Sequence, residues 1–163
     1  MTEITFEITN YCPSQCSYCS NESGPNEKAK LSFRYIQDLL KGKVYDRINV
    51  SGGEPLSHPD FYKILIFCKR HVAPRTGFVA VYTNAIECIM YNANILPGVR
   101  VEANLPMLPN VNKLHVLKMI PQGSEAKRPD MHYSKNWNDK NCNHDVVKAN
   151  GKIGLSPCDK REK

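Results

Sequence analysis

The feature of this chain that most restricts its fold is a regular alternation of short strands and amphipathic helices. Residues 4–9 (ITFEIT) alternate between apolar and polar side chains, which predicts a strand, and Ser32 can cap a helix whose apolar residues share one face. The same order repeats from residue 47, with a second helix opening at Pro59 and further strands in GFVAVYT, VRVEANL and KLHVLKMI. Strands that alternate with helices pair in parallel, so the loops that follow them meet at one edge of the sheet.

The length of the chain limits how complete such a sheet can be. With 163 residues the chain is about one domain, and it is short for a closed eight-stranded α/β barrel, which needs roughly 250 residues. A partial or compact α/β domain therefore fits the length better. Near the end of the chain, Asn150-Gly151 lies between two short apolar runs, which predicts a β-hairpin with a type I′ turn.

The charge and the cysteine content indicate the partners and the compartment. The net charge of +6 favours anionic partners such as nucleotides. The amino terminus lacks a basic region followed by an apolar stretch, and no apolar run reaches the roughly 20 residues of a membrane span. We therefore expect a cytoplasmic protein with no membrane association. In that reducing compartment, seven cysteines favour metal binding or catalysis over disulfides.

Three of the cysteines form the most specific motif of the chain. Cys12, Cys16 and Cys19 lie within eight residues in a CxxxCxxC pattern, without a fourth cysteine beside them. An iron–sulfur cube normally takes four thiolates, so three leave one iron open to a small molecule. The alternative is a structural zinc site that a distant cysteine or histidine completes.

A glycine-rich loop follows the second predicted strand. In SGGEP, residues 51–55, Gly52 and Gly53 remove side-chain bulk so that a ligand can approach the backbone. Glu54 adds a carboxylate, and carbonyls with a carboxylate suit a ligand's ammonium group. The chain has neither a G-x-G-x-x-G pattern nor a P-loop lysine, so a dinucleotide or triphosphate site has no support.

These motifs resemble those of the radical S-adenosylmethionine (radical SAM) enzymes. CPSQCSYC is similar to the cysteine signature of that superfamily, SGGEPLSHPDF to its GGEP loop, VYTNA to its third-strand segment and LHVLKMIPQG to its late strand. The resemblance covers residues 4–123. It implies an α/β fold with a partial (β/α) TIM-like barrel of about five to six parallel strands, a trimmed core over residues 1–123. Residues 124–163 would then form a loop and a C-terminal β-hairpin extension.

The resemblance also implies the cofactors. Cys12, Cys16 and Cys19 would ligate three irons of a [4Fe-4S] cluster as metal ligands and catalytic residues, and S-adenosyl-L-methionine would occupy the fourth iron. Reductive cleavage of SAM would give methionine and a 5′-deoxyadenosyl radical that abstracts hydrogen from a substrate. A reductant such as flavodoxin or ferredoxin would supply the electron. The cofactor-binding residues would be Tyr18, Gly52, Gly53, Glu54, Thr83, Asn84, Glu102, Asn104 and Ile120.

The substrate stays open between a nucleotide, a small metabolite and a residue within a polypeptide. The basic charge and the irregular segment 121–141 favour a nucleotide-type substrate. Because the core is trimmed, a partner protein or a homodimer is expected to cover the open site. Two alternatives remain, namely an activase that installs a glycyl radical on a partner protein and a non-catalytic iron–sulfur binding module.

The other cysteines receive different interpretations. Cys68 falls on the apolar face of the second helix, so we interpret it as a small core residue, and Cys88 similarly. Cys142 and Cys158 would lie near each other at the open end of the predicted hairpin. For this pair an auxiliary metal site, a disulfide and two free thiols all stay open.

Overall fold

The computed structural model describes most of the first half of the chain and a short segment near its end. The described residues are 2–14, 16, 19, 21–84, 99–103 and 145–154, with the backbone alone at 99–103. Their elements are β1 (Glu3–Glu7), α1 (Phe33–Leu40), β2 (Arg47–Ser51), a 3₁₀ turn (Pro55–Ser57), α2 (Phe61–Lys69), β3 (Phe78–Thr83), β4 (Val99–Ala103), β5 (Asp145–Val147) and β6 (Ile153–Gly154). Within these ranges, no helix is long and apolar enough to cross a membrane.

The strands form one mixed sheet in the order β4-β3-β2-β1-β5-β6. The first five of these strands run parallel, and β6 is antiparallel to β5. Helices α1 and α2 connect β1 to β2 and β2 to β3, as parallel pairing requires. The predicted α/β class and the first four predicted strands are therefore confirmed. The fifth predicted strand, KLHVLKMI, lies outside the described residues.

One face of the sheet is apolar and packs against both helices. Alternate residues of β1, β2 and β3 are buried there together with the inward residues of the helices. The Phe33 ring of α1 and the Phe67 ring of α2 pack edge to face, with their centroids 5.6 Å apart. Cys68 is fully buried in this core, and burial raises the pKa of its thiol to about 12. The prediction of a structural Cys68 is confirmed.

The opposite face of the sheet is polar. Asn49 Nδ2 donates to Glu3 Oε1 at 2.6 Å and to Thr5 Oγ1 at 2.9 Å, and Arg47 donates to Asn49 Oδ1 at 2.7 Å and to the Tyr82 hydroxyl. Strands of parallel sheets are usually apolar on both faces. Here the buried polar side chains satisfy one another across three strands, so this face is built for polar contacts.

Both predicted helices form. The Ser32 hydroxyl caps α1 by accepting from Tyr35 N at 3.2 Å, and Gly42 follows the helix with a φ of 70°. Helix α2 begins at Phe61, two residues later than the sequence predicts. The intervening turn is held by His58, whose Nδ1 accepts from Asp60 N at 3.0 Å while its Nε2 donates to Leu31 O at 2.9 Å.

The predicted hairpin forms, but its turn differs from the predicted type. Lys148 N donates to Lys152 O at 2.8 Å, and Gly151 N donates to Lys148 O at 2.8 Å. A type I′ turn needs positive φ at both Asn150 and Gly151, and in this turn only Gly151 has one, at 84°. The loop is therefore a three-residue turn closed by glycine. Its first strand, β5, lies beside β1 and extends the main sheet.

We expect His58 to make the fold less stable in mild acid. Burial lowers the pKa of its imidazole below 6.5, although the hydrogen bond to Leu31 works in the opposite direction. The unfolded chain therefore binds this proton more tightly, and the stabilisation is complete above about pH 6.5 and is lost below it. Chemical denaturation across this range should show a steeper loss for the wild type than for His58→Gln. Equal pH dependence in the two proteins would contradict this assignment.

Candidate functional site

Two loops and the residue that follows β3 meet at the carboxyl edge of the parallel strands. The cysteine loop (residues 10–20) follows β1, the glycine loop (residues 51–55) ends β2, and Asn84 follows β3. Gly53 N donates to Thr9 O at 2.6 Å and Glu54 N donates to Tyr11 O at 2.8 Å, while Asn84 Nδ2 donates to Cys12 Sγ at 3.5 Å. The predicted convergence of the cysteine and glycine loops is confirmed.

The two glycines allow the cysteine loop to lie directly against the glycine loop. A Cβ on Gly52 would lie 2.2 Å from Thr9 O, and a Cβ on Gly53 would lie 2.3 Å from Tyr11 O. Gly52 also has a φ of 141°, which side chains rarely tolerate. The sequence predicts that the absence of side chains at the two glycines lets a ligand approach the backbone. In the structure, the space beside both α-carbons is filled by backbone atoms of the cysteine loop and of Thr9.

Glu54 joins the glycine loop to the end of β3. Its side chain has no solvent exposure. Oε1 accepts from the Thr83 hydroxyl at 2.7 Å and from Leu56 N at 3.0 Å, and Oε2 accepts from Asn84 N at 2.9 Å. From the sequence we expect this carboxylate to bind a ligand's ammonium group, whereas in the structure both of its oxygens accept hydrogen bonds from the protein itself. Charge-assisted bonds of this kind fix the positions of the donors as well as the acceptor.

The three cysteines of the loop differ in exposure. Cys12 is buried, Cys19 is partly exposed and Cys16 is exposed. Cys12 N donates to Gly24 O at 3.1 Å and so anchors the cysteine loop, while Cys19 N donates to Cys16 O at 3.0 Å within the loop. Burial raises the pKa of the Cys12 thiol, and the nearby Glu54 carboxylate adds to the rise, although hydrogen bonds from Ser14 lower it. Without a cation, Cys12 therefore favours its neutral form.

Of the remaining residues that the sequence analysis singles out, one lies in a described strand. Glu102 is in β4 beside Tyr82, with only its backbone described. The other predicted residues lie outside the described part of the chain, namely Tyr18, Cys88, Asn104, Ile120, Cys142 and Cys158.

The structure adds polar residues that the sequence analysis missed. Glu7, Asn10 and Asn21 line a cavity of about 200 Å³ beside the two loops. Glu7 is the last residue of β1 and lies on the polar face of the sheet, in the alternating series that contains Thr5 and Thr9. The alternation in ITFEIT carries this signal, because a carboxylate on an otherwise buried strand needs a partner.

The chain is similar to known proteins. The family model of the radical SAM superfamily matches residues 6–103, which include both loops. The chain is 32% identical over 72 residues to the mycofactocin maturase MftC of Mycobacterium ulcerans, covering 42% of this chain and 19% of that protein. It is 30% identical over 131 residues to the PqqA peptide cyclase of Rhodopseudomonas palustris (78% and 30%). It is 31% identical over 98 residues to the S-adenosylmethionine-dependent nucleotide dehydratase of Selenomonas ruminantium (58% and 33%). The chain thus spans no more than 33% of the length of these three relatives.

Substitution of Gly53 should destabilise the protein by separating the loops. The Cβ of Gly53→Ala would overlap the Tyr11 carbonyl, and forced shifts of this kind cost about 1–3 kcal/mol in the free energy of unfolding. Gly24→Ala is the matched control, because its Cβ would have no atom within 4 Å. Chemical denaturation measures the free energy of unfolding of both variants. Equal values would show that the contact between Gly53 and the Tyr11 carbonyl is not tight.

Replacement of the Glu54 carboxylate by an amide should also destabilise the protein. In Glu54→Gln an NH₂ group would face donors that now bond to an oxygen, and an unsatisfied buried group costs about 1–3 kcal/mol. Asp38→Asn removes an exposed carboxylate that pairs only across one helical turn with Arg34, so its effect should stay within about 1 kcal/mol. A Glu54→Gln protein as stable as Asp38→Asn would contradict the stabilising role of the hydrogen bonds that the Glu54 carboxylate accepts.

Proposed function

This chain belongs to the radical SAM superfamily, and we propose that it binds a [4Fe-4S] cluster and S-adenosylmethionine and generates a radical that removes hydrogen from a substrate. Members of the superfamily use both cofactors. The observation that carries the proposal is the contact between the cysteine loop and the glycine loop at the carboxyl edge of the sheet. The two loops that the family match contains therefore form one site.

We assign the cluster to Cys12, Cys16 and Cys19. Their thiols fit an iron–sulfur cluster, and the amide of Asn84 at Cys12 Sγ is the kind of outer contact that cluster sulfurs receive. Among the described side chains, no group of three or more His, Cys, Asp and Glu is already arranged to hold a metal ion. When bound, the cluster supplies the electron that cleaves SAM into methionine and the 5′-deoxyadenosyl radical.

The glycine loop is assigned to the methionine end of SAM. Backbone carbonyls of residues 52–54 would accept from its ammonium group. Glu54 is then a positioning residue, because its carboxylate holds the loop, Thr83 and Asn84 in place. Tyr18 would shield the cluster or pack near the adenine, Glu102 or Asn104 would bind the ribose hydroxyls, and Ile120 would contact the adenine.

Membership of the superfamily also leads us to propose the overall architecture of the chain. The parallel strands β1 to β4 would form part of a partial (β/α) TIM-like barrel, with residues 1–123 as the core and residues 124–163 as the extension. The polar face of the sheet would be the interior side of that barrel, where a substrate can reach the radical. A flavodoxin or ferredoxin would donate the electron.

We assign the substrate to the peptide class. The PqqA peptide cyclase matches 78% of this chain, a larger share than the 58% that the nucleotide dehydratase matches. A nucleotide-type substrate is the second candidate, which the sequence analysis favours. An open groove beside the start of α1, with Lys28, Lys30 and Lys152 in its lining, supports it, since ammonium groups suit a phosphate.

Replacement of the loop cysteines should abolish both iron binding and SAM cleavage. Anaerobically reconstituted wild-type protein should hold about four irons per chain and form 5′-deoxyadenosine from SAM after reduction. Cys12→Ala, Cys16→Ala and Cys19→Ala should each lose both properties. Cys68→Ala is the matched control, because its thiol lies in the core. Full iron content and SAM cleavage in any of the three loop variants would contradict the assignment, and a wild type that binds zinc and no iron would refute it.

A further inference from the structure

A cavity lies between the cysteine loop and the hairpin, at the end of β1. The cavity of about 200 Å³ has Glu7, Asn10 and Asn21 on one side and Lys148 on the other. Asn21 Nδ2 donates to Gly52 O at 3.5 Å, and the amide of Glu22, which also lines the cavity, donates to Cys19 O at 3.3 Å. A group bound here would therefore lie next to both loops of the proposed radical site.

Three oxygens of the cavity residues have no hydrogen-bond partner in the described structure. They are Glu7 Oε1, Asn10 Oδ1 and Asn21 Oδ1, all buried. The two amides are oriented by their NH₂ groups, since Asn10 donates to Glu27 Oε2 at 3.0 Å and Asn21 donates to Gly52 O. Buried polar atoms are nearly always paired. Three residues that line one cavity thus each carry an oxygen that accepts no hydrogen bond in the described structure, although Glu7 Oε1 also forms an ion pair with Lys148. They point to a ligand that brings several N–H donors.

The charge of the cavity selects a cation. Glu7 is 5% exposed, and Lys148 Nζ forms an ion pair with its Oε1 at 3.8 Å, a distance too long for a hydrogen bond. Glu22 also lines the cavity, so the charged residues of its lining are two glutamates and one lysine. Burial raises the pKa of Glu7, only partly countered by Lys148 and by Asn21. A second cation beside this carboxylate would stabilise its ionised form.

We propose that this cavity binds a positively charged N–H donor of the substrate, an ammonium or guanidinium group, beside the radical site. The inference rests on the proposed function and deepens it. It favours a substrate with a basic group near the position that loses hydrogen, because Asn21 and Glu22 connect the cavity directly to the glycine and cysteine loops. A lysine or arginine side chain of a peptide and a small cationic metabolite share this chemistry.

The test compares a cation with its neutral analogue. Binding of n-propylguanidinium and of n-propylurea to the reconstituted full chain is measured by calorimetry at about pH 8, where an ordinary carboxyl is ionised. The guanidinium should bind about tenfold more tightly than the urea, and Glu7→Gln should remove this preference, because a hydrogen bond to a charged group contributes that much. Asp38→Asn, on the surface of α1, should leave it unchanged.

A second variant should change the affinity in the opposite direction. Lys148→Met removes the cation that competes for Glu7, so n-propylguanidinium should bind about threefold more tightly. A gain in affinity cannot arise from misfolding. Equal affinity for the two probes, or an unchanged preference in Glu7→Gln, would overturn the proposal.

Two further measurements separate this site from the proposed function and identify the source of the cation. Equilibrium dialysis should give the same SAM affinity for Glu7→Gln and wild type, and a parallel loss of SAM binding would assign the cavity to SAM and overturn the inference. Failure of wild-type protein to cleave SAM, with guanidinium binding intact, would refute the proposed function alone. Tighter binding of an end-blocked arginine tripeptide than of n-propylguanidinium would support a peptide source, and equal binding a small metabolite.

Discussion

The carboxylate of Glu54 joins the ends of two strands from a position with no exposure to solvent. A buried carboxylate costs several kcal/mol unless donors surround it, and here the donors come from Leu56, Thr83 and Asn84. Because the backbone of Asn84 is fixed in this way, its side chain can reach Cys12 and Ser14. The contact between Asn84 and the cysteine loop thus depends on the Glu54 carboxylate.

The two glycines impose the complementary constraint from the other side. They let the backbone at Thr9 and Tyr11 bond directly to the glycine loop, so the segment that carries the thiols cannot shift without breaking these bonds. The polar face of the sheet continues from this point through Glu7, Thr5 and Asn49. Together these features place thiols, backbone carbonyls and unpaired acceptors at one edge, which suits a charged cofactor and a polar substrate.

The sequence predicts local structure well where one short-range rule decides it. The strands alternate, Ser32 caps α1, and Cys68 follows the apolar period of α2 into the core. It predicts less where distant residues decide. The type of turn at Gly151 is set by how the two strands of the hairpin pair, and not by the Asn-Gly dipeptide alone. Glu54 bonds to Thr83 and Asn84, about 30 residues away. No local pattern shows that the Glu54 carboxylate faces the protein, and the alternation in ITFEIT indicates only that Glu7 needs a partner, not that it lines a cavity.

The central claim is that the cysteine loop leaves a position open for SAM beside the glycine loop. Electron paramagnetic resonance of anaerobically reconstituted, dithionite-reduced protein, recorded with and without SAM, tests it most directly. The account predicts the signal of a reduced [4Fe-4S] cluster whose g-values shift when SAM is added. A cluster signal that is identical with and without SAM would contradict the open position, and the absence of any iron signal would contradict the cluster itself.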